Sequence, residues 1–286
     1  MTRITTWRGR ALKDPDEPIF DQGLAFDLET ILDRRGLLKV VGVGGLSVVL
    51  AACSTSSGTG AASATASTTG AASAATGEAC STIPEETAGP YPGDGSNGPD
   101  VLSQSGIVRR DIRTSFGDLS GTAQGVPLTI ELQLEVASTC APLAGAAVYL
   151  WHCDRDGRYS LYTVTDQNYL RGVQQADDNG AVTFTSIFPG CYSGRWPHIH
   201  FEVYPDLASS TDDANKLATS QIALPGDTCN TVYATSGYEQ SVTNLSQVSL
   251  TSDNVFGDDG GAHQLGTVTG SVADGLTVSL TVPVTA

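Results

Sequence analysis

This 286-residue chain is short of positive charge, with 15 Lys and Arg side chains against 31 Asp and Glu and a formal net charge of −16. Residues 1–52 hold seven side chains of each sign, so the rest of the chain carries the whole −16 with only eight basic residues. Phosphate polyanions would be repelled, which argues against nucleic acid as a partner; the acidity itself reads as solubility. Close Cys-x-x-Cys spacing is absent, and with it the usual signature of a cysteine-built zinc site. No long stretch has amphipathic helical periodicity, so a helical bundle is not expected. The longest apolar run, Val40–Ala52, is too short to span a bilayer. Methionine occurs once, while glycine is abundant at 32 residues.

The N-terminal region carries its own signals. Asp33-Arg34-Arg35-Gly36-Leu37-Leu38-Lys39 resembles a twin-arginine export signal, and Val40–Ala52 has the length of a signal h-region. Leu50-Ala51-Ala52-Cys53 resembles a bacterial lipobox, which implies cleavage before Cys53 and lipidation of its thiol. The alternative is a core helix of an N-terminal domain. On the export reading, residues 1–52 are a lipoprotein signal peptide. Residues 53–79, rich in Ala, Ser, Thr and Gly, are a flexible tether, and residues 80–286 are one folded domain. The protein is then exported and lipid-anchored at the bacterial cell envelope.

The domain reads as all-β. Leu128, Ile130, Leu132, Leu134 and Val136 alternate with Thr129, Glu131, Gln133 and Glu135, the pattern of a half-buried strand. Further strands are expected at Ala146–Cys153, His198–Tyr204 and Thr219–Ala223. Asn179-Gly180 between Arg171–Asp177 and Ala181–Ile187 is a hairpin signal, and Asp274-Gly275 joins Leu265–Val272 to Leu276–Val282 as another. Many short strands with turn signals predict an Ig-like or transthyretin-like β-sandwich.

Apart from Cys53, five cysteines remain: Cys80, Cys140, Cys153, Cys191 and Cys229. An exported chain permits disulfides, and five thiols allow at most two. Cys191 with Cys229, and Cys80 with Cys140, are the expected pairs, leaving Cys153 free; sequence alone leaves the connectivity open.

The residue types that carry chemistry concentrate in Gly190-Cys191-Tyr192-Ser193-Gly194-Arg195-Trp196-Pro197-His198-Ile199-His200-Phe201. His198 and His200 share one face of a strand, while Ile199 and Phe201 face a core. Imidazole is a common metal ligand, and two on one strand make the start of a metal site. Upstream lie Trp151-His152-Cys153-Asp154-Arg155-Asp156-Gly157-Arg158-Tyr159-Ser160 and Glu86-Thr87-Ala88-Gly89-Pro90-Tyr91-Pro92. In this order, with an arginine three residues before the first histidine, these segments resemble the intradiol ring-cleavage dioxygenases. The match runs from about Thr87 to Gln221.

That resemblance implies a non-haem Fe(III) ion held by Tyr159, Tyr192, His198 and His200. It implies that the tyrosine matching Tyr192 leaves the metal when substrate binds, and that Arg195 stabilises negative charge on the ring. Gly89, Pro90, Tyr91 and Gln221 match pocket residues. The substrates implied are a catechol-type small molecule and O2, and the product is a muconate-type diacid. The residue types suit this chemistry. A free phenol has a pKa of about 10, a trivalent cation holds it as phenolate, and an always-charged guanidinium can stabilise developing charge.

Two other readings use the same residues differently. His198, His200 and Glu202 lie on one strand face and could form a 2-His-1-carboxylate Fe(II) or zinc site. A tethered β-sandwich could also be a non-catalytic adhesion or carbohydrate-binding module. His152 and His263 are read as ordinary polar residues. Asp154, Asp156 and Gly157 are read as a turn, with a calcium loop as the alternative.

Overall fold

A computed structural model describes residues 80–286 and the short strands β1 (Thr6–Trp7) and β2 (Arg10–Ala11), which pair antiparallel. The twin-arginine segment, the lipobox with Cys53 and the tether lie outside the described residues.

Period-2 patterning builds the first sheet. Strand β3 (Pro127–Val136) buries Leu128, Ile130, Leu132 and Leu134 and turns Glu131 to solvent. It pairs parallel with β11 (Gly275–Val284), and β11 pairs antiparallel with β10 (Thr267–Ser271). On its other edge β3 meets the short β4 (Ala141–Pro142) and β7 (Ala181–Ile187), both antiparallel. The second sheet has the order β6 (Arg171–Gln175), β5 (Ala147–Trp151), β8 (His198–Tyr204) and β9 (Ala218–Ala223), antiparallel throughout. Leu128, Ile130, Phe184 and Val278 of the first sheet share one core with Val148, Leu150, Ile199, Phe201 and Ile222 of the second. Two sheets around one core make a β-sandwich.

The Asn179-Gly180 turn forms, with Gly180 at φ +80° and its N–H donating to Asp177 O at 2.9 Å, but it does not close a hairpin. β6 pairs with β5 in one sheet and β7 with β3 in the other, so this turn is a corner of the sandwich. Turn chemistry reports a local reversal and carries no information about the partner of the outgoing strand.

The second sheet is covered on its outer face as well. Every residue of β5, β8 and β9 is buried. Val101, Leu102, Ile107, Phe116 and Tyr159, from the segments before β3 and after β5, pack on Tyr149, Trp151 and Tyr204 of that face. The His198 and His200 face therefore lies beneath a layer of loops. After β9, helices α1 (Gly226–Tyr233) and α2 (Glu239–Leu245) brace the loop leading into β8. Cys191 N donates to Ser241 Oγ at 2.9 Å and Asn244 Nδ2 donates to Cys191 O at 2.7 Å. No helix among the described residues is long and apolar enough to cross a membrane.

A disulfide joins Cys80 to Cys140 across 60 residues and ties the start of the domain to the β3–β4 turn. The expected Cys191–Cys229 bridge is absent: both are free, buried thiols, as is Cys153. Cys191 Sγ points at Arg195 O, 3.5 Å away, while Cys229 Sγ faces Leu224 O at 3.9 Å. The loop before β8 is held by α2 instead.

Candidate metal centre

Two elements bring the donors together. β8 places His198 and His200 on its outer face, with rings 4.7 Å apart and Nε2 atoms 3.0 Å apart. The loop before β8 returns Tyr192, whose Oη lies 3.1 Å from His198 Nε2. Tyr159 follows a tight turn in which Asp154 Oδ1 accepts from Asp156 N and Arg158 N, while Arg158 Nη2 reaches Asp154 Oδ2 at 2.9 Å. That arginine takes up the carboxylate, so the segment is a turn and not a calcium loop. The Tyr159 ring lies 5.8 Å from Tyr192 and 6.2 Å from His200, edge-on to both.

The residues fit a metal ion on two grounds. The Tyr159 hydroxyl is fully buried and, although the Tyr192 hydroxyl is near enough to influence it, lies outside hydrogen-bond geometry with any partner, a costly state for a phenol with nothing to bind. Neighbouring donors on one first-row metal ion, each bonded at about 2.0–2.1 Å, stand roughly 3 Å apart, which is the spacing of Tyr192 Oη, His198 Nε2 and His200 Nε2. The electrostatics agree. Burial, with Arg195 nearby, holds His198 well below its ordinary pKa. Burial, His198 and Arg195 do the same for His200, so both imidazoles are neutral lone-pair donors. Burial pushes Tyr159 well above 10 and Tyr192 up to about 12, so a cation is required to hold either as phenolate.

His198 is oriented through its second ring nitrogen and His200 by ring stacking, with His200 Nδ1 buried and unpaired. His198 Nδ1 lies 2.5 Å from Trp196 O, a carbonyl that can only accept; Nδ1 carries the proton and Nε2 the lone pair. His200 stacks on Trp151, with centroids 4.9 Å apart and planes within 5°. Gly89 sits at φ +70°, and a Cβ there would lie 3.3 Å from His200 Cε1, so the segment passes close over the ligand only as glycine. Pro90 O accepts from Asn97 Nδ2, and the Tyr91 ring packs 4.9 Å from Tyr159.

Arg195 is held at the open edge of the site. Its Nη2 donates to Gln221 Oε1 at 2.7 Å, its Nε to Asp253 Oδ2 at 3.0 Å, and Nη1 is 3.5 Å from His198 Nε2. Burial works against its charge, but Asp253 and the two tyrosines outweigh it and raise its pKa. Gln221 lies opposite His200 on β9, and its Nε2 donates to Thr87 O, joining Arg195 to the 87–91 segment. Tyr192 and Arg195 are half-buried, Ser193 and Gly194 are exposed, and Tyr159, His198 and His200 are deep.

Glu202 does not join His198 and His200 as a third ligand. Its Oε2 accepts from Tyr204 Oη at 2.7 Å and its Oε1 from Lys216 Nζ at 3.2 Å, so both oxygens are engaged away from the imidazoles. Cys80, Glu135 and Cys140 also bring potential donors together, but the two sulfurs are spent in the disulfide. Asp253 carries no sequence signal as a site residue: it lies 58 residues from Arg195 in a loop without a motif.

The family model described as Dioxygenase (Dioxygenase_C) matches residues 97–249, more than half of the chain. An intradiol ring-cleavage dioxygenase from Tetranychus urticae has a similar solved structure: TM-score 0.56, 27% identity, 72% of this chain and 94% of that one. The chain belongs to the intradiol ring-cleavage dioxygenase family. Among curated proteins, a chlorocatechol 1,2-dioxygenase from Rhodococcus opacus is 28% identical over 30% of this chain. The match spans 39% of the length of that relative.

Proposed function

We propose that this protein binds one ferric ion through Tyr159, Tyr192, His198 and His200 and uses O2 to cleave a catechol between its two hydroxylated carbons. The observation that carries the reading is the convergence of two phenols and two neutral imidazoles, one phenol buried without a partner. When bound, the ferric ion would withdraw electron density from the chelated catecholate ring and open it to attack by O2. The chain supplies the rest. Tyr192, on the half-exposed loop, can swing away and take a catechol hydroxyl proton on its Oη, while Tyr159, locked under the loop layer, stays. Arg195, aimed by Gln221, stabilises negative charge on the ring and the adjacent oxygen. Gly89, Pro90 and Tyr91 roof the ring. Both atoms of O2 end in the product, a muconate-type diacid.

The charge around the entrance favours neutral catechols over carboxylated ones. Arg195 is already paired with Asp253, and Glu86, near Arg195, Asp258 and Asp259, is pushed up to about 7 by burial and Asp258, so it carries part of a negative charge at neutral pH. We further infer that the sandwich is of the Ig-like or transthyretin-like kind and that Cys53 carries the lipid anchor. Cys53→Ser should move protein expressed with its own signal out of the detergent phase. The functional test is oxygen uptake with catechol, hydroxyquinol and protocatechuate, with products identified by mass. A diacid with a preference for the uncarboxylated rings is expected. A semialdehyde, from cleavage outside the hydroxyls, would overturn the intradiol reading.

A further inference from the structure

The inference concerns Asp253 and rests on the ring-cleavage reading above. Asp253 lies in the loop after α2, and its side chain is wholly removed from solvent. Its two oxygens meet four N–H groups. Oδ2 accepts from Arg195 Nε at 3.0 Å and from Trp196 N at 2.6 Å; Oδ1 accepts from Val255 N at 2.8 Å and Phe256 N at 3.1 Å. The loop is seated by Val255 and Phe256, which pack with Ala223 of β9 and against Trp196, so the carboxylate is presented from a fixed base.

We propose that Asp253 is a positioning residue for ring cleavage: it aims the Arg195 guanidinium at the metal centre. A guanidinium is a rigid planar fork. With Nε pinned by Asp253 and Nη2 by Gln221, its plane is fixed, and Nη1 is directed to the side of His198 where the donors meet. Asp253 Oδ2 also accepts from Trp196 N, in the peptide that follows Arg195, and so holds the backbone that carries the guanidinium. The carboxylate thus orients the charge-stabilising group and balances the positive charge of Arg195 in a largely buried setting.

Asp253→Asn in the iron-loaded protein tests this. All four contacts require an acceptor, and an amide has one acceptor oxygen in place of two. Iron content and the resting visible band should stay near wild type. The rate constant kcat should fall at least tenfold, with kcat/KM falling by the same factor, because Arg195 acts on charge that develops during reaction. The double variant Asp253→Asn/Arg195→Gln should be no slower than Arg195→Gln alone, since Asp253 acts through Arg195. Losses that multiply, or an unchanged kcat in Asp253→Asn, would overturn the proposal. If Asp253→Asn does not fold, NMR of the wild-type metal-free protein decides. A slowly exchanging Arg195 Nε–H resonance, identified by its absence in Arg195→Lys, is expected, and a freely exchanging one would refute the pairing. Wild-type protein that binds no iron would instead refute the ring-cleavage reading and leave the Asp253–Arg195 measurement standing.

Discussion

Arg171→Met should loosen the site without touching a ligand. Arg171 on β6 is fully buried, and its guanidinium reaches both segments that cover the metal face. Its Nη2 donates to Tyr91 O at 2.9 Å and Ser160 O at 3.0 Å; its Nε donates to Ser160 Oγ at 3.0 Å; its Nη1 donates to Pro92 O at 2.6 Å and Tyr149 Oη at 3.1 Å. Methionine matches the length and volume of the stem and has no donor. Pro92 O would keep the Tyr149 hydroxyl, and Ser160 Oγ would keep Tyr169 O. The carbonyls of Tyr91 and Ser160 would lose this donor. Each such loss costs about 1–3 kcal/mol, so the variant should be less stable by roughly 3 kcal/mol, a large share of the ~5–15 kcal/mol typical of a domain. Urea unfolding measures this. The same contacts lie beside Tyr91 and Tyr159, so iron retention against a chelator should fall in parallel. A stability within about 1 kcal/mol of wild type would refute the reasoning, because it would mean that water or a local shift replaces the guanidinium at no cost.

Two further outcomes follow from the same structure. Alkylation of denatured, unreduced protein should label Cys153, Cys191 and Cys229 and leave Cys80 and Cys140 unlabelled, and reducing that 60-residue loop should cost roughly 4 kcal/mol. Burial lowers His152 to about 4, and its ring is engaged by Cys153 O and Ser186 Oγ. The unfolded chain therefore binds a proton that the folded one refuses between about pH 6.5 and 4. Stability is lost as pH falls through that window, by about 3 kcal/mol, and the stability difference between wild type and His152→Leu should shrink by that amount on acidification.

Much of the fold was legible because strand alternation is a local signal. β3 and β8 lie where the pattern of Leu128–Val136 and His198–Tyr204 puts them. The partner of each strand was not legible: the Asn179-Gly180 turn has the local chemistry of a hairpin, yet its two strands enter different sheets. The His-x-His pair and the arginine three residues before it marked the site, since they sit within one short segment. Burial of the polar face of β8 was hidden, because it depends on segments from 80–122 and 153–169 that have little regular structure. Asp253 was hidden for the same reason, and the three free thiols were hidden because pairing of cysteines is decided by tertiary geometry that the sequence does not display.

The central claim is the metal and its ligands, and the most direct test is metal content with a visible spectrum of the purified domain. The account predicts about one iron per chain and a phenolate-to-iron charge-transfer band that both Tyr159→Phe and Tyr192→Phe alter. Stoichiometric zinc with no visible band, or a band indifferent to both tyrosines, would contradict it.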